Sequence, residues 1–123
     1  MKKKLVSVIA LMLSLSAHAT DNPAWMRYPA ISPDGSLIAF SYKGDIYTVP
    51  VSGGRASQIT TNPAHDSYPV WSPDGQQIAF ASDRLGSMDI YVVDKEGGVP
   101  TPLTTHSGNE TPIVFKDKDH ILF

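Results

Sequence analysis

One eight-residue stretch occurs twice in the chain, as Tyr-Pro-Ala-Ile-Ser-Pro-Asp-Gly at 28–35 and, 40 positions later, as Tyr-Pro-Val-Trp-Ser-Pro-Asp-Gly at 68–75. The residues that follow also recur, with Ile-Ala-Phe at 38–40 and 78–80, Asp-Ile-Tyr at 45–47 and 89–91, and Gly-Gly at 53–54 and 97–98. A third copy runs from Thr111 to Phe123, and eleven positions separate its Pro from its Phe, as in the first two copies. A regular repeat of this length indicates supersecondary units that pack on their neighbours.

Each copy predicts four short strands separated by turns. In Ser-Pro-Asp-Gly, Pro fixes φ at the first central position of a type I turn, Asp suits the second, and Gly accepts the left-handed conformation that closes the hairpin. After this turn, Ile38, Phe40 and Tyr42 fall on one face of a strand, because side chains alternate with period two. The predicted strands are 30–32, Leu37–Tyr42, 45–49 and 57–60 in the first copy, and 70–72, Gln77–Ser82, 89–93 and 101–104 in the second.

These features predict an all-β fold, a partial β-propeller with two full four-stranded blades and the start of a third. The small residues Ala39 and Ala79 lie among bulky Ile and Phe in their strands, which suits a sheet covered on both faces by neighbouring sheets. A sandwich domain is the alternative, but it does not require so regular a recurrence. We expect the incomplete propeller to span 20–123, with repeats at about 24–63, 64–107 and 108–123.

The number of repeats is low for this architecture. Propellers typically close with four to eight blades, whereas this sequence supplies two and part of a third. Such a chain has an uncovered apolar face and an unpaired strand edge. We therefore expect a truncated product or a gene fragment that is not a stable monomer on its own.

The first 19 residues have the composition of a secretory signal peptide. Three lysines, Lys2, Lys3 and Lys4, precede an apolar segment, and Ala17-His18-Ala19 places small residues at the positions that a signal peptidase reads. The sequence therefore predicts cleavage after Ala19 and export to the periplasm. The alternative, an N-terminal anchor helix, needs a longer apolar segment than this one, and no later segment is apolar enough to span a membrane.

The charge of the remaining chain narrows the range of partners. All twelve acidic residues lie beyond residue 19, whereas three of the ten basic residues lie before it, which leaves a net charge of −5 for 20–123. A mildly acidic chain without a Lys/Arg cluster argues against nucleic acid and anionic lipid as partners. The sequence contains no Cys, so it has neither disulfides nor a lipid-anchor Cys.

No motif in the sequence predicts a catalytic, cofactor-binding or metal-binding residue. His65, His106 and His120 lack the spacing of metal ligands, and no Gly-x-Ser-x-Gly, P-loop or dinucleotide fingerprint occurs. The segment 83–89 has two spaced acids but not the alternating ligands of a calcium loop. His65 and His106 fall in similar inter-repeat loops, which suggests a shared structural or channel-mouth role. Asn109 begins a short glycosylation sequon, and Trp71 is expected in the core.

The repeat, Tyr-Pro-x-x-Ser-Pro-Asp-Gly-x-x-Ile-Ala-Phe followed by Asp-Ile-Tyr, Gly-Gly and Leu-Thr, resembles the WD-like propeller repeats of TolB and of tricorn-type proteases over 24–123. It begins directly behind the predicted signal, with no room for the small α/β domain that precedes the propeller of TolB. The segment 24–35, with Tyr-Lys-Gly-Asp-Ile-Tyr at 42–47, looks like the start of exported tricorn-like serine peptidases.

That resemblance implies a non-catalytic role for this segment. In tricorn-like peptidases the propeller is thought to guide or filter peptide substrates, and the catalytic Ser and His lie far downstream, so no residue here is assigned a catalytic role and no cofactor is expected. The expected partners are peptide or protein substrates, or downstream domains of the parent protein. Two alternatives are a TolB-like interaction module of the cell envelope and the propeller of a dipeptidyl-peptidase-type α/β hydrolase.

Overall fold

The structure, a computed structural model, describes residues 25–123, so the predicted signal peptide lies outside the described residues. Ten strands form three antiparallel sheets with sequential strand order. The first sheet contains β1 (Met26–Ile31), β2 (Leu37–Tyr42), β3 (Asp45–Pro50) and β4 (Ser57–Gln58). The second contains β5 (Asp66–Trp71), β6 (Gln77–Ser82), β7 (Asp89–Asp94) and β8 (Thr101–Pro102), and β9 (Val114–Asp117) pairs with β10 (His120–Leu122). We call the two four-stranded sheets blade 1 and blade 2.

The Ser-Pro-Asp-Gly turns have the predicted chemistry. The Ser32 carbonyl accepts a hydrogen bond from the Gly35 amide at 2.8 Å, and Gly35 has a φ of 73°. The Asp34 carboxylate accepts a hydrogen bond from the Ser32 hydroxyl at 2.7 Å and another from the Ser36 amide at 3.0 Å. These bonds satisfy the polar groups of the turn before β2 begins at Leu37. The second copy repeats the arrangement.

The two blades pack face to face through unlike surfaces. Phe80 and Tyr91 of blade 2 lie on the face that meets Ala39 and Ile46 of blade 1, and all four side chains belong to one buried cluster. A small residue on one blade leaves room for a large one on the next, which allows the close packing that protein interiors require. The core of the described chain is therefore the space between the blades, and the all-β partial propeller predicted from the sequence is confirmed.

The arrangement of the blades is radial. The first strands lie next to one another, since β1 contacts β5 and β5 contacts β9. Each first strand pairs with a neighbour on one edge only, because β1 and β5 stand at the ends of their sheets. The short fourth strands stand at the opposite ends. The free edges of β1 and β5 thus face the side on which the blades converge, as at the axis of a propeller.

The third strands end one residue later than predicted, at Pro50 and Asp94, and the first and fourth strands differ more from the prediction. The first strands begin about four residues earlier than predicted, because the Tyr-Pro pair forms a bulge inside each strand and obscures its alternation in the sequence. The fourth strands are only two residues long, because the amides of Ile59 and Thr60 both donate to the carbonyl of Ile46, which ends the regular ladder. No helix in 25–123 is long and apolar enough to cross a membrane.

Candidate functional site

A pair of stacked tyrosines marks the side on which the blades converge. The register of β1 shifts between Arg27 and Ala30, and Tyr28 lies in this bulge with a φ of 55°. Tyr68 occupies the equivalent bulge of β5 with the same φ. The ring centroids are 4.0 Å apart with an angle of 30° between the planes, and each tyrosine is 38% exposed. We call β1 and β5 the inner strands, and together they present an aromatic surface to solvent.

This conformation is costly for a tyrosine. A non-glycine residue in the left-handed region costs about 1–3 kcal/mol, and the residue before a proline is further restricted. Both blades nevertheless use Tyr-Pro at this position, in Tyr28-Pro29 and Tyr68-Pro69. The side-chain hydrogen bond with Tyr28, followed by the electrostatic effect of the same phenol, raises the pKa of Tyr68.

A cleft of about 590 Å³ opens beside this pair, and we call it the axial cleft. Its walls combine aromatic rings with the basic side chains of Arg27 and Lys43. It is lined by Trp25, Arg27, Tyr28, Ser41, Lys43, Gly44 and His65. Trp25 is 60% exposed, so an aromatic surface is available at the mouth. The arrangement can bind a ligand through stacking and charge, but it contains no nucleophile paired with a base.

Hydrogen bonds between the blades hold the floor of the axial cleft. The Gly44 carbonyl accepts from the Asp66 amide at 2.7 Å, and the Ser41 hydroxyl donates to the Asp66 carbonyl at 2.9 Å. The Asp83 carboxylate accepts from the His65 amide at 2.7 Å. The first two bonds join blade 1 to the start of β5, and the third joins the His65 amide to the loop between β6 and β7.

A buried ion pair lies behind the floor. Asp66 is fully buried, and both of its carboxylate oxygens accept hydrogen bonds from Nη2 of Arg84, at 3.0 and 2.9 Å. The Arg84 guanidinium also lies 4.7 Å from the ring centroid of Tyr91. Burial, and then the charge of Asp66, raise the pKa of Asp45 on blade 1. The buried Asp66 carboxylate therefore has both an opposite charge and hydrogen-bond donors as partners, as a buried charge requires, and the role of the ion pair is structural.

The three histidines within residues 25–123 are not brought together. The His65 ring lines the axial cleft. The His106 amide donates to Asp89 at 3.1 Å, and the exposed His120 ring contacts Asp117 at 2.8 Å. Within 25–123, no three His, Asp or Glu side chains are grouped closely enough to hold a metal ion.

The remaining residues of interest have structural contacts. In the 83–89 loop, Asp83 caps the His65 amide. The Asn109 side chain accepts from the Met88 amide at 3.1 Å, which fixes the inter-blade loop. Trp71 is 8% exposed and donates from its indole nitrogen to the Ala30 carbonyl at 2.9 Å, so its predicted core position is confirmed.

Sequence reasoning did not identify the tyrosine pair, but it suggested a channel-mouth role for His65, which lines the axial cleft. The signal for the pair was the repetition of Tyr-Pro at one position of the repeat, in Tyr28-Pro29 and Tyr68-Pro69. In a sequence, this repetition indicates a scaffold position as readily as a binding surface. The left-handed φ values show that the tyrosines leave the regular pleat.

Residues 23–123 match the family model of the tricorn protease N-terminal β-propeller domain. The chain belongs to this family. Tricorn protease homolog 1 of Streptomyces coelicolor is 37% identical over 87 residues, which are 71% of this chain and 8% of that protein. The chain thus spans only a small part of this curated tricorn relative, and the resemblance to tricorn-type repeats drawn from the sequence is confirmed.

Solved structures agree with this assignment. A TolB structure from Agrobacterium tumefaciens has a TM-score of 0.68 and 25% identity, covering 77% of this tricorn-type chain and 40% of that chain. TolB from Acinetobacter baumannii has a TM-score of 0.63 and 27% identity over 73% of this chain and 24% of its own. The tricorn protease has a TM-score of 0.57 and 25% identity over 65% and 8%.

Proposed function

We propose that this tricorn-type segment is the N-terminal, non-catalytic propeller part of an exported, periplasmic serine peptidase, where it guides or filters peptide substrates. The family assignment supports a tricorn-type parent. The observation that carries the substrate role is the tyrosine pair on β1 and β5, because residues in the left-handed region cluster at ligand sites. A ring of blades leaves a channel of limited width, which admits extended chains and excludes folded ones.

The inner strands suit contact with an extended peptide. One edge of β1 and one edge of β5 have no strand partner in their sheets, so their backbone groups can form hydrogen bonds with an extended peptide. Tyr28 and Tyr68 add an aromatic surface beside these edges. Peptides are commonly recognised by main-chain contacts at a strand edge, with side-chain pockets providing selectivity. In this proposal the propeller binds the peptide substrate weakly and repeatedly, and hydrolysis of the peptide bond takes place in another part of the parent protein.

Photocrosslinking tests the substrate role. Extended peptides that carry a benzophenone side chain are irradiated with the purified chain, and crosslinks are mapped by mass spectrometry. We expect them in β1 and β5, and we expect fewer in a Tyr28→Gly, Tyr68→Gly variant. Glycine suits a φ of 55°, so this variant removes the rings without adding backbone strain. Ile31→Ala, an exposed change on the same strand, is the control. Crosslinks confined to the outer strands would contradict the proposal.

The parent protein and the location are tested separately. An uninterrupted reading frame beyond the codon of Phe123 should reach PDZ and serine-peptidase sequence, and propeller sequence alone would argue against a peptidase. Cleavage after Ala19 predicts an exported chain whose N-terminal sequence starts at Thr20. An unprocessed N-terminus would contradict the predicted export.

A second candidate function is an envelope interaction module. It is favoured by the two TolB structures, whose TM-scores of 0.68 and 0.63 exceed the 0.57 of the tricorn protease. In this case a face of the propeller would dock another protein. Specific capture of a peptidoglycan-associated lipoprotein by the full-length parent would support docking, and peptide crosslinks on the inner strands would favour the peptidase.

A further inference from the structure

The axial cleft is cationic in a chain whose overall charge is negative. Arg27 and Lys43 line it, and no acidic side chain does. Neither Arg27 nor Lys43 forms an ion pair within residues 25–123. The formal net charge of the whole chain is −2, so the cleft departs from the average surface. Because unpaired cations raise the local concentration of anions, the cleft favours a ligand group of negative charge.

The backbone strain of the described chain is concentrated at the same place. Only Tyr28, Lys43 and Tyr68 among the non-glycine residues of 25–123 have a positive φ. Tyr28 and Lys43 line the axial cleft, and Tyr68 stacks on Tyr28. Such residues cluster at ligand sites, so their convergence on one cleft is a second, independent indication of binding.

The presence of a lysine at position 43 bears on what the axial cleft binds. Lys43 and Gly44 form the two-residue connection between β2 and β3, with φ values of 51° and 89°. A turn with two positive φ values prefers Asn at its first central position, and lysine is less suited to it. The conformation of the turn alone therefore does not explain a lysine at this position. The Lys43 ammonium also lies 5.1 Å from the ring centroid of Tyr42, which helps to position it.

We propose that the axial cleft binds an acidic side chain of an extended peptide, with the carboxylate between Arg27 and Lys43 and a neighbouring side chain against Trp25. Because β1 has a partner on one edge only, a peptide can run along its free edge and pass the cleft, which favours an internal carboxylate over a chain terminus. The inference rests on the proposed function, since it names the substrate class selected by the same inner surface.

The test compares two peptides and two variants. The probes are fluorescent octapeptides, acetylated and amidated at their ends, which contain one Glu followed by Tyr in a Gly/Ser sequence, or Gln in place of that Glu. Binding to the purified chain is measured by fluorescence anisotropy at 50 mM and 500 mM salt. Lys43→Asn removes the charge and keeps the turn, and Lys118→Asn removes the same charge from a side chain that is 80% exposed in another turn.

We expect the Glu peptide to bind more tightly than the Gln peptide at low salt. Lys43→Asn should weaken the Glu peptide about two- to fivefold and leave the Gln peptide unchanged, because one partly exposed ion pair is lost. Lys118→Asn should change neither Kd, and high salt should reduce the difference between the peptides.

Three outcomes would overturn the inference in distinguishable ways. Equal affinity for both peptides, or no effect of Lys43→Asn, removes the acidic preference and leaves peptide guiding intact. A third probe, the Gln peptide with a free C-terminus, serves as a control, and if it binds more tightly than the Glu peptide, the cleft is assigned to chain termini. If neither peptide binds at any concentration tested, both this inference and the guiding role of this segment fail.

Discussion

Replacing Arg84 with leucine should open blade 2 locally. In the native chain both oxygens of the fully buried Asp66 carboxylate accept hydrogen bonds from Arg84, whose side chain is only 13% exposed. Arg84→Leu leaves this carboxylate buried without a partner, and breaking a buried pair in this way costs about 3–5 kcal/mol. The guanidinium contacts with Phe80 and Tyr91 are lost as well.

Blade 1 supplies a matched double variant. Met26 stands in β1 where Asp66 stands in β5, since Met26 pairs with Tyr42 and Asp66 pairs with Ser82. The combination Asp66→Met, Arg84→Leu therefore replaces the ion pair with two apolar side chains, in a site that is fully buried at Asp66 and 48% exposed at Met26. Replacing both members of a buried ion pair with apolar groups is often neutral or stabilising, so we expect the double variant within about 1 kcal/mol of the native chain.

Hydrogen exchange measured by mass spectrometry is the suitable assay, because it reports local opening and needs no cooperative global transition. A cost of about 3 kcal/mol corresponds to roughly 150-fold faster exchange of the amides in β6 and β7, at about 1.36 kcal/mol per factor of ten. Lys118→Leu breaks an exposed ion pair of 3.7 Å and should leave exchange almost unchanged. Native exchange rates in Arg84→Leu, or equally fast exchange in the double variant, would refute the reasoning.

Two further predictions concern the turns. A Cβ at Gly97 would lie 3.2 Å from a backbone carbonyl oxygen of blade 1, whereas one at Gly53 would meet no atom within 4 Å, although both residues have a positive φ. Gly97→Ala should therefore destabilise the blade contact by about 1–3 kcal/mol more than Gly53→Ala, and equal exchange rates in the two variants would contradict the predicted clash. The hydroxyl of Ser32, followed by the amide and hydroxyl of Ser36, lowers the pKa of Asp34 to about 2 from an ordinary value of 3.8. A lowered native pKa means that this contribution to stability is complete above about pH 4 and is lost as the pH falls through about 2. A carboxyl-detected NMR titration should return this value and a higher one in Ser32→Ala, and the reverse order would show that the serine is not the cause.

The sequence by itself determined the fold class. The spacing of Ser-Pro-Asp-Gly, Ile-Ala-Phe and Asp-Ile-Tyr is local information, because turn chemistry and strand alternation act over fewer than about ten residues. The bounds of β2 and β6 were therefore predicted to the residue. The buried position of Trp71 followed from its place in a first strand. The length of the first strands did not follow, because the bulge at Tyr28 interrupts the alternation.

Only the tertiary structure decided where the candidate site lies. Tyr28 and Tyr68 are 40 positions apart in the sequence, and their rings stack because the first strands of successive blades converge. Lys43 and His65 meet in the axial cleft because the Gly44 carbonyl holds the start of β5 against the tip of the first blade's hairpin. A repeat fixes what each blade is, whereas contacts between blades fix which side chains become neighbours. For that physical reason the repeated sequence predicted a scaffold, and the packed blades revealed a cationic, aromatic cleft.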